Sequence, residues 1–301
     1  MGWIAGRSGD TRSGVRLEVI RSWAEFPRED YARAVLLKRV RTTRSGPHLD
    51  LEGARSLDGL PPATPVVSLR VGVEVLRSSD VGEKLPTGVR RLYVTGRQVF
   101  WPALARGLAS LAVPSLVLED RSYWGQSSYP MIPAAPAHEL GLSRFRCELV
   151  DLDRWVGLSR VILRTSHVEH LRLPGSAKTL IIHGHGANIP EGAVVSRLAV
   201  VGANGFDFGG PPLPSVREVY YSPPFAGNSG RETLLAIRRR FPQLVALHTS
   251  APVLRGGEDL VRDLTLRVDK RGRRRFARPT TADWYEPEAC LSLGYEFPAL
   301  R

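Results

Sequence analysis

The residues with the most distinctive chemistry are histidines. His167, Glu169 and His170 lie in one segment, and His183 and His185 follow shortly after it. Imidazole nitrogens and a carboxylate are zinc donors when a fold brings about four of them to one point. No Cys joins the group, and His-x-His and His-x-x-His pairs arise by chance. Strand-face and loop histidines are therefore the favoured reading, and no metal is assigned. A metal-dependent enzyme at this region stays as the third functional alternative. Asp151 and Asp153 are a second candidate pair. Two carboxylates can share acid and base duties if a cleft holds them, and a solvated face is the favoured alternative.

The known catalytic signatures are missing. The chain has no G-x-S-x-G, no P-loop and no H-E-x-x-H. Gly184-His185-Gly186 and Gly202-Ala203-Asn204-Gly205 read as turn glycines, because no Lys or helix start follows at the spacing a phosphate cradle needs. No catalytic residue and no cofactor is assigned.

Charge gives the next clue. The net charge is +12 over 301 residues, which suits an acidic partner such as nucleic acid or an anionic surface. The charges are spread along the chain, so a solvated Arg-rich surface is favoured. The one dense run is Lys270, Arg271, Arg273, Arg274 and Arg275, broken by Gly272. It lacks interleaved aromatics other than Phe276, and a solvated hairpin with its turn at Arg271-Gly272 is favoured over a nucleic-acid contact. Cys147 and Cys290 are two lone thiols without C-x-x-C spacing. They suit a reducing compartment and small buried apolar positions. The N-terminal residues have no continuous apolar stretch of the secretory kind, and no apolar run approaches the length of a membrane span. A soluble, cytoplasmic protein is expected, with signal-independent export left open.

What must position these residues is a repeat. An apolar-x-apolar motif recurs at Leu69-Arg70-Val71, Leu92-Tyr93-Val94, Leu116-Val117-Leu118, Val161-Ile162-Leu163, Leu180-Ile181-Ile182, Leu198-Ala199-Val200, Val219-Tyr220-Tyr221, Val245-Ala246-Leu247 and Leu264-Thr265-Leu266. One gap, between Leu116 and Val161, is about twice the others and leaves room for a further strand, placed at Phe145-Arg146-Cys147. Alternate residues of a strand point to opposite faces, so both apolar positions of each motif reach one core. Burying such side chains gives roughly 1.5–3 kcal/mol each, while ordering a residue costs roughly 1–2 kcal/mol. One unit cannot fold alone, and a stack shares its core. Helical spacing marks Trp101 to Leu111, and Ser229-Gly230-Arg231-Glu232 reads as a capping box before Thr233 to Phe241. Other connectors are Pro- and Gly-rich and extended.

Leu173-Pro174, Leu180-Ile181-Ile182-His183-Gly184 and Ile189-Pro190, repeated in Leu198-Ala199-Val200-Val201-Gly202-Ala203-Asn204, resemble the bacterial leucine-rich-repeat family. The resemblance is best over roughly 85–270 and weak before 60. Repeat length is irregular, the Leu before the strand is often missing, and the Asn after it is mostly absent. The fold it implies is an α/β solenoid, a stack of short parallel strands with mixed helical and extended connectors. It also implies that one strand face contacts a partner. On that face the candidate residues are Tyr93, Thr95, Glu119, Arg164, His183, Tyr220, Ser222 and His248, expected to be exposed.

Residues 1–60 are expected to form an N-terminal cap or degenerate repeats, or a separate domain. Residues 61–270 form the repeat stack, and 271–301 a C-terminal cap or tail containing Trp284, Tyr285, Tyr295 and Phe297. The expected function is a non-enzymatic scaffold that binds another protein. Nucleic-acid or anionic-surface binding is the second choice.

Overall fold

A computed structural model of the chain describes residues 40–269, apart from 44–45, 52–53, 59, 61, 63, 65, 98–103, 122–131, 185–186, 202–205 and 224–229. Residues 1–39 of the expected N-terminal cap, the basic run 270–275 and the tail 271–301 lie outside the described residues.

One sheet dominates. Strands β1 (Val40–Thr43) and β2 (Gly46–Leu51) form an antiparallel pair. From β2 onward every pairing in this sheet is parallel. The members are β3 (Ser68–Gly72), β4 (Arg91–Gly96), β5 (Ser115–Asp120), β6 (Glu139–Ser143), β8 (Arg160–Arg164), β10 (Thr179–His183), β11 (Arg197–Val201), β12 (Glu218–Ser222), β13 (Ala246–Ser250) and β14 (Thr265–Asp269). They lie side by side in chain order, and the sheet does not close into a barrel. The result is a large parallel sheet of eleven strands with few helices.

The apolar-x-apolar motif explains the register. Leu69, Leu92, Leu116, Leu140, Val161, Leu180, Leu198, Val219 and Leu247 are successive Cα partners, and Val71, Val94, Leu118, Leu142, Leu163, Ile182 and Val200 form the row two residues on. These two rows belong to one continuous apolar core. The connectors complete it. Leu104, Leu108 and Leu111 are buried from the segment holding the helix Ala105–Ala109, as their helical spacing predicts. Leu234, Ile237 and Phe241 are buried from the helix Gly230–Arg240 and the residue after it.

Several details differ from the sequence reading. The strand that fills the long gap is β6, with Leu140-Gly141-Leu142 as its motif. Phe145-Arg146-Cys147 instead leads into β7 (Arg146–Asp151), which pairs in parallel with β9 (His167–Arg172) as a separate two-stranded sheet. Between β6 and β10 the connectors are thus strands. Asn188 extends this small sheet by mimicry: its side chain accepts from the Val168 N–H at 3.0 Å and donates to the Val168 carbonyl at 2.7 Å. In β13 the core positions are Leu247 and Thr249, while Val245 is 52% exposed. In β14, Leu266 rather than Leu264 aligns with Leu247. The parallel sheet also reaches back to β2, inside the segment 1–60.

The strand-to-connector turn is a repeated device. Arg144 (φ 63°), Thr165 (φ 44°) and Gly184 (φ 87°) each directly follow a sheet strand, in the left-handed region. Their N–H groups donate to Arg164, His183 and Val201 carbonyls at 2.8–2.9 Å, each reaching across to the next strand of the sheet.

Candidate functional site

The face of the large sheet opposite the core carries three rows. The middle row runs Asp50, Arg70, Tyr93, Val117, Gly141, Ile162, Ile181, Ala199, Tyr220 and His248. The row toward the strand C-termini holds Thr95, Glu119, Ser143, Arg164, His183, Val201 and Ser222. The row toward the N-termini holds His48, Ser68, Arg91, Ser115, Glu139, Arg160, Thr179, Arg197 and Glu218. All eight candidate partner residues therefore share one face, as the two-residue period requires.

The expected exposure is not observed for the seven of these whose side chains are described. Tyr93, Thr95, Glu119, Arg164, Tyr220 and His248 are buried, and His183 is half-buried. The middle row forms a second apolar cluster of Tyr93, Val117, Ile162, Ile181, Ala199, Val201 and Tyr220, with Ile162 and Ile181 at 0% exposure. Solvent reaches this face at its borders, where Arg91, Arg160, Arg197 and Glu218 are half-buried and Arg97, Arg121 and Arg144 are exposed.

The polar side chains on this face are organised into networks. Arg70 donates to Glu119 Oε2 at 2.7 Å, both almost fully buried, and lies 4.0 Å from Asp50. Arg144 and Arg121 approach the other Glu119 oxygen at 3.6 and 3.9 Å. On the opposite border Arg91 donates to Ser115 at 3.2 Å, Ser115 donates to Glu139 at 2.7 Å, and Arg160 donates to Glu139 at 3.1 Å. His48 Nδ1 and the Ser68 hydroxyl are 2.7 Å apart, and the His48 ring meets Tyr93 edge-on at 5.6 Å. Tyr220 and His248 are tilted neighbours at 6.5 Å. Burial, and then the positive charge of Arg164, push the His183 imidazole down to about 4, so it is neutral at pH 7.

The histidine-rich region is split by the fold. His167, Glu169 and His170 stand exposed on β9 of the small sheet, where His170 lies 3.7 Å from Glu191. His183 belongs to the large sheet's second face. His185 lies outside the described residues. Among the described residues no group of three or more His, Cys, Asp or Glu is placed to hold a metal. Asp151 accepts from the Asp153 N–H at 3.0 Å and lies 3.6 Å from Arg172, so this carboxylate shapes a turn and an ion pair. Burial pushes the Cys147 thiol up to about 12, which leaves it protonated and unreactive at neutral pH.

Sequence reasoning missed Asp50, Arg70, Arg91, Ser115, Glu139 and Arg160. The signal was present for Arg70 and Asp50, the middle residues of Leu69-Arg70-Val71 and Leu49-Asp50-Leu51. For the others it lay one residue before the first apolar position of the motif, on the same face as its middle residue. No helix among the described residues is long and apolar enough to cross a membrane. No protein-family model, curated protein or solved structure matches the chain.

Proposed function

We propose that the chain is a non-enzymatic binding scaffold, a solenoid of leucine-rich-repeat character that contacts a protein partner along the borders of its large sheet's second face, where solvent reaches it. The observation that carries this reading is the contrast between the two faces. The core face repeats the same apolar chemistry from β3 to β12, as stacking demands. The second face places a different side chain at nearly every step of one common register. Non-repeating chemistry on a repeating frame is how a stack encodes recognition.

The test is capture of partners by the purified chain after nuclease treatment and at two salt concentrations, followed by hydrogen exchange of the complex. A discrete protein that survives both treatments and protects amides of β4 to β12 supports the scaffold. Nucleic acid recovered only at low salt replaces it with the second-choice reading. A protein whose footprint falls on the helix Gly230–Arg240 and the small sheet, with none on β4 to β12, removes the second face from the proposal.

A further inference from the structure

The second apolar cluster is buried further than one sheet can bury itself. It consists of large-sheet residues only, with Ile162, Ile181 and Ala199 at 0% exposure. Side chains on one sheet face shield one another's flanks. Their tips point away from the sheet and reach water unless another layer lies above. The described helices and the small sheet do not supply that layer, because their buried apolar side chains belong to the other core. The polar residues of the face point the same way. Asp50, Arg70, Tyr93, Arg164, Tyr220 and His248 each have a further hydrogen-bonding, ring or electrostatic partner. They stand on six strands between β2 and β13, and a cover that meets them all spans most of the sheet.

The chemistry of the face selects what can lie there. Arg164 is buried, and its register neighbours Ser143 and His183 carry no charge at pH 7. A buried guanidinium keeps its charge and needs oxygen acceptors, best a carboxylate. Outside the described residues, 279–300 contains Asp283, Glu286, Glu288 and Glu296 with no Lys or Arg, beside Trp284, Tyr285, Tyr295 and Phe297. Residues 1–39 contain eight Lys and Arg against five Asp and Glu, and the internal segments 98–103, 122–131 and 224–229 contain no Asp or Glu. Length also fits. The apolar cluster runs from β4 to β12, about 29 Å at the usual strand spacing. A segment of twenty-two residues reaches up to about 70 Å when extended. Residues 270–278 provide the lead from β14, the sheet's last described strand. That end is not sealed, since Leu266 and Val268 of β14 stay 38% and 39% exposed.

We propose that residues 279–300 lie along the second face of their own sheet as its internal occupant. Their carboxylates meet the arginines of the face, Arg164 foremost, in charge-assisted hydrogen bonds. Their aromatic rings rest on the apolar row between Tyr93 and Tyr220. Covered in this way, the face offers other molecules only its borders. The inference stands apart from the scaffold reading: a chain that captures no protein can still fold this segment onto its own sheet.

Photo-crosslinking of the full chain tests it, with Tyr285 or Phe297 replaced by p-benzoylphenylalanine and the products mapped by mass spectrometry. Crosslinks within one chain to second-face residues of β4 to β12 are expected. Asp283→Asn, Glu286→Gln, Glu288→Gln and Glu296→Gln together keep the shape of the segment and remove its charge. In that full-length variant the crosslinking yield is expected to fall about fivefold, and fluorescence of the apolar dye ANS to rise about twofold or more. The matched N-terminal variant, Asp10→Asn, Glu18→Gln, Glu25→Gln and Glu29→Gln, is expected to leave both readings unchanged. Circular dichroism verifies that both variants are folded. Crosslinks only to the helix Gly230–Arg240 and the small sheet overturn the proposal, as does the absence of crosslinks. Crosslinks only between two chains overturn it in favour of a second copy's segment. Unchanged crosslinking after the four C-terminal charges are removed overturns the pairing of carboxylates with arginines. An ANS rise in the N-terminal variant and none in the C-terminal one assigns the cover to residues 1–39 and overturns the proposal as well.

Discussion

His183 is the residue whose environment speaks most directly to pH. Its ordinary value of 6.5 falls to about 4 in the fold, mainly through burial and secondarily through Arg164. Between those values the unfolded chain binds the proton and the folded chain does not. Stability contributed by the neutral ring is therefore complete above about pH 6.5 and is lost as pH falls toward 4. The loss is on the order of 3 kcal/mol at most. Urea unfolding at pH 7 and pH 4.5 measures it, and His183→Gln is expected to show a smaller drop than wild type over that interval. Thr165 offers a second residue-scale test. A β-branched residue at φ 44° carries strain that Gly184 avoids at the equivalent turn. The Thr165 side chain is exposed, so little packing is lost on removing it. Thr165→Gly relieves about 1–2 kcal/mol of strain and costs about 0.5–1 kcal/mol in chain entropy. A net gain near 0.5–1 kcal/mol, a rise of a degree or more in Tm, is expected in thermal unfolding.

At the scale of elements, the connectors are held by close backbone approach. A Cβ on Gly107, in the helix Ala105–Ala109, would lie 2.0 Å from the Leu76 carbonyl oxygen of the preceding connector. A Cβ on Gly82 would lie 2.0 Å from the Ser110 oxygen of the following one. The two connectors thus use reciprocal glycines, and the obstacle in each case is backbone, which cannot swing away. Gly107→Ala is expected to destabilise by about 3 kcal/mol or more despite the better helix propensity of Ala, read as a lower urea midpoint. Glycines of this kind were not legible as contacts in the sequence, whereas the strands were. Leu-x-Leu alternation marked β3, β4, β5, β8, β10, β11 and β12 because two apolar side chains one step apart can only serve a shared core. β6 escaped because Gly141 stands between its two leucines, and an apolar-polar-apolar alternative lay a few residues later. Val245 misled for a different reason: a slip of two residues preserves which face each side chain takes, so alternation alone cannot fix the register of β13. The small sheet was hidden because its buried pairs, Cys147 with Val150 and Val168 with Leu171, are three residues apart. That spacing breaks strict alternation. On the second face, membership followed from parity, but the Arg70–Glu119 pairing came from strands distant in sequence.

At the scale of the whole molecule, the large sheet, among the described residues, has a middle and two dissimilar ends. At one end β1 turns back on β2 as an antiparallel pair and covers the parallel edge. At the other, β14 is the last strand of the sheet among the described residues, and its core-side Leu266 and Val268 are 38% and 39% exposed. Leu180, in β10, has neighbours on both sides and is fully buried. In a stack whose stability is a sum of unit and interface contributions, the same chemical change should weigh differently along its length. Leu180→Ala leaves a cavity among packed neighbours and is expected to cost about 2–5 kcal/mol. Leu266→Ala removes a side chain that water already reaches and is expected to cost less than about 1.5 kcal/mol. Native-state hydrogen exchange separates the two further. Leu180→Ala should speed exchange across β8, β10 and β11 together, because their interfaces share the lost side chain. Leu266→Ala should speed it in β13 and β14 and leave β8 to β11 unchanged. Equal losses at the two sites, or uniform acceleration by both, would mean that the eleven strands unfold as one cooperative block and that neighbour-by-neighbour stacking does not describe this chain.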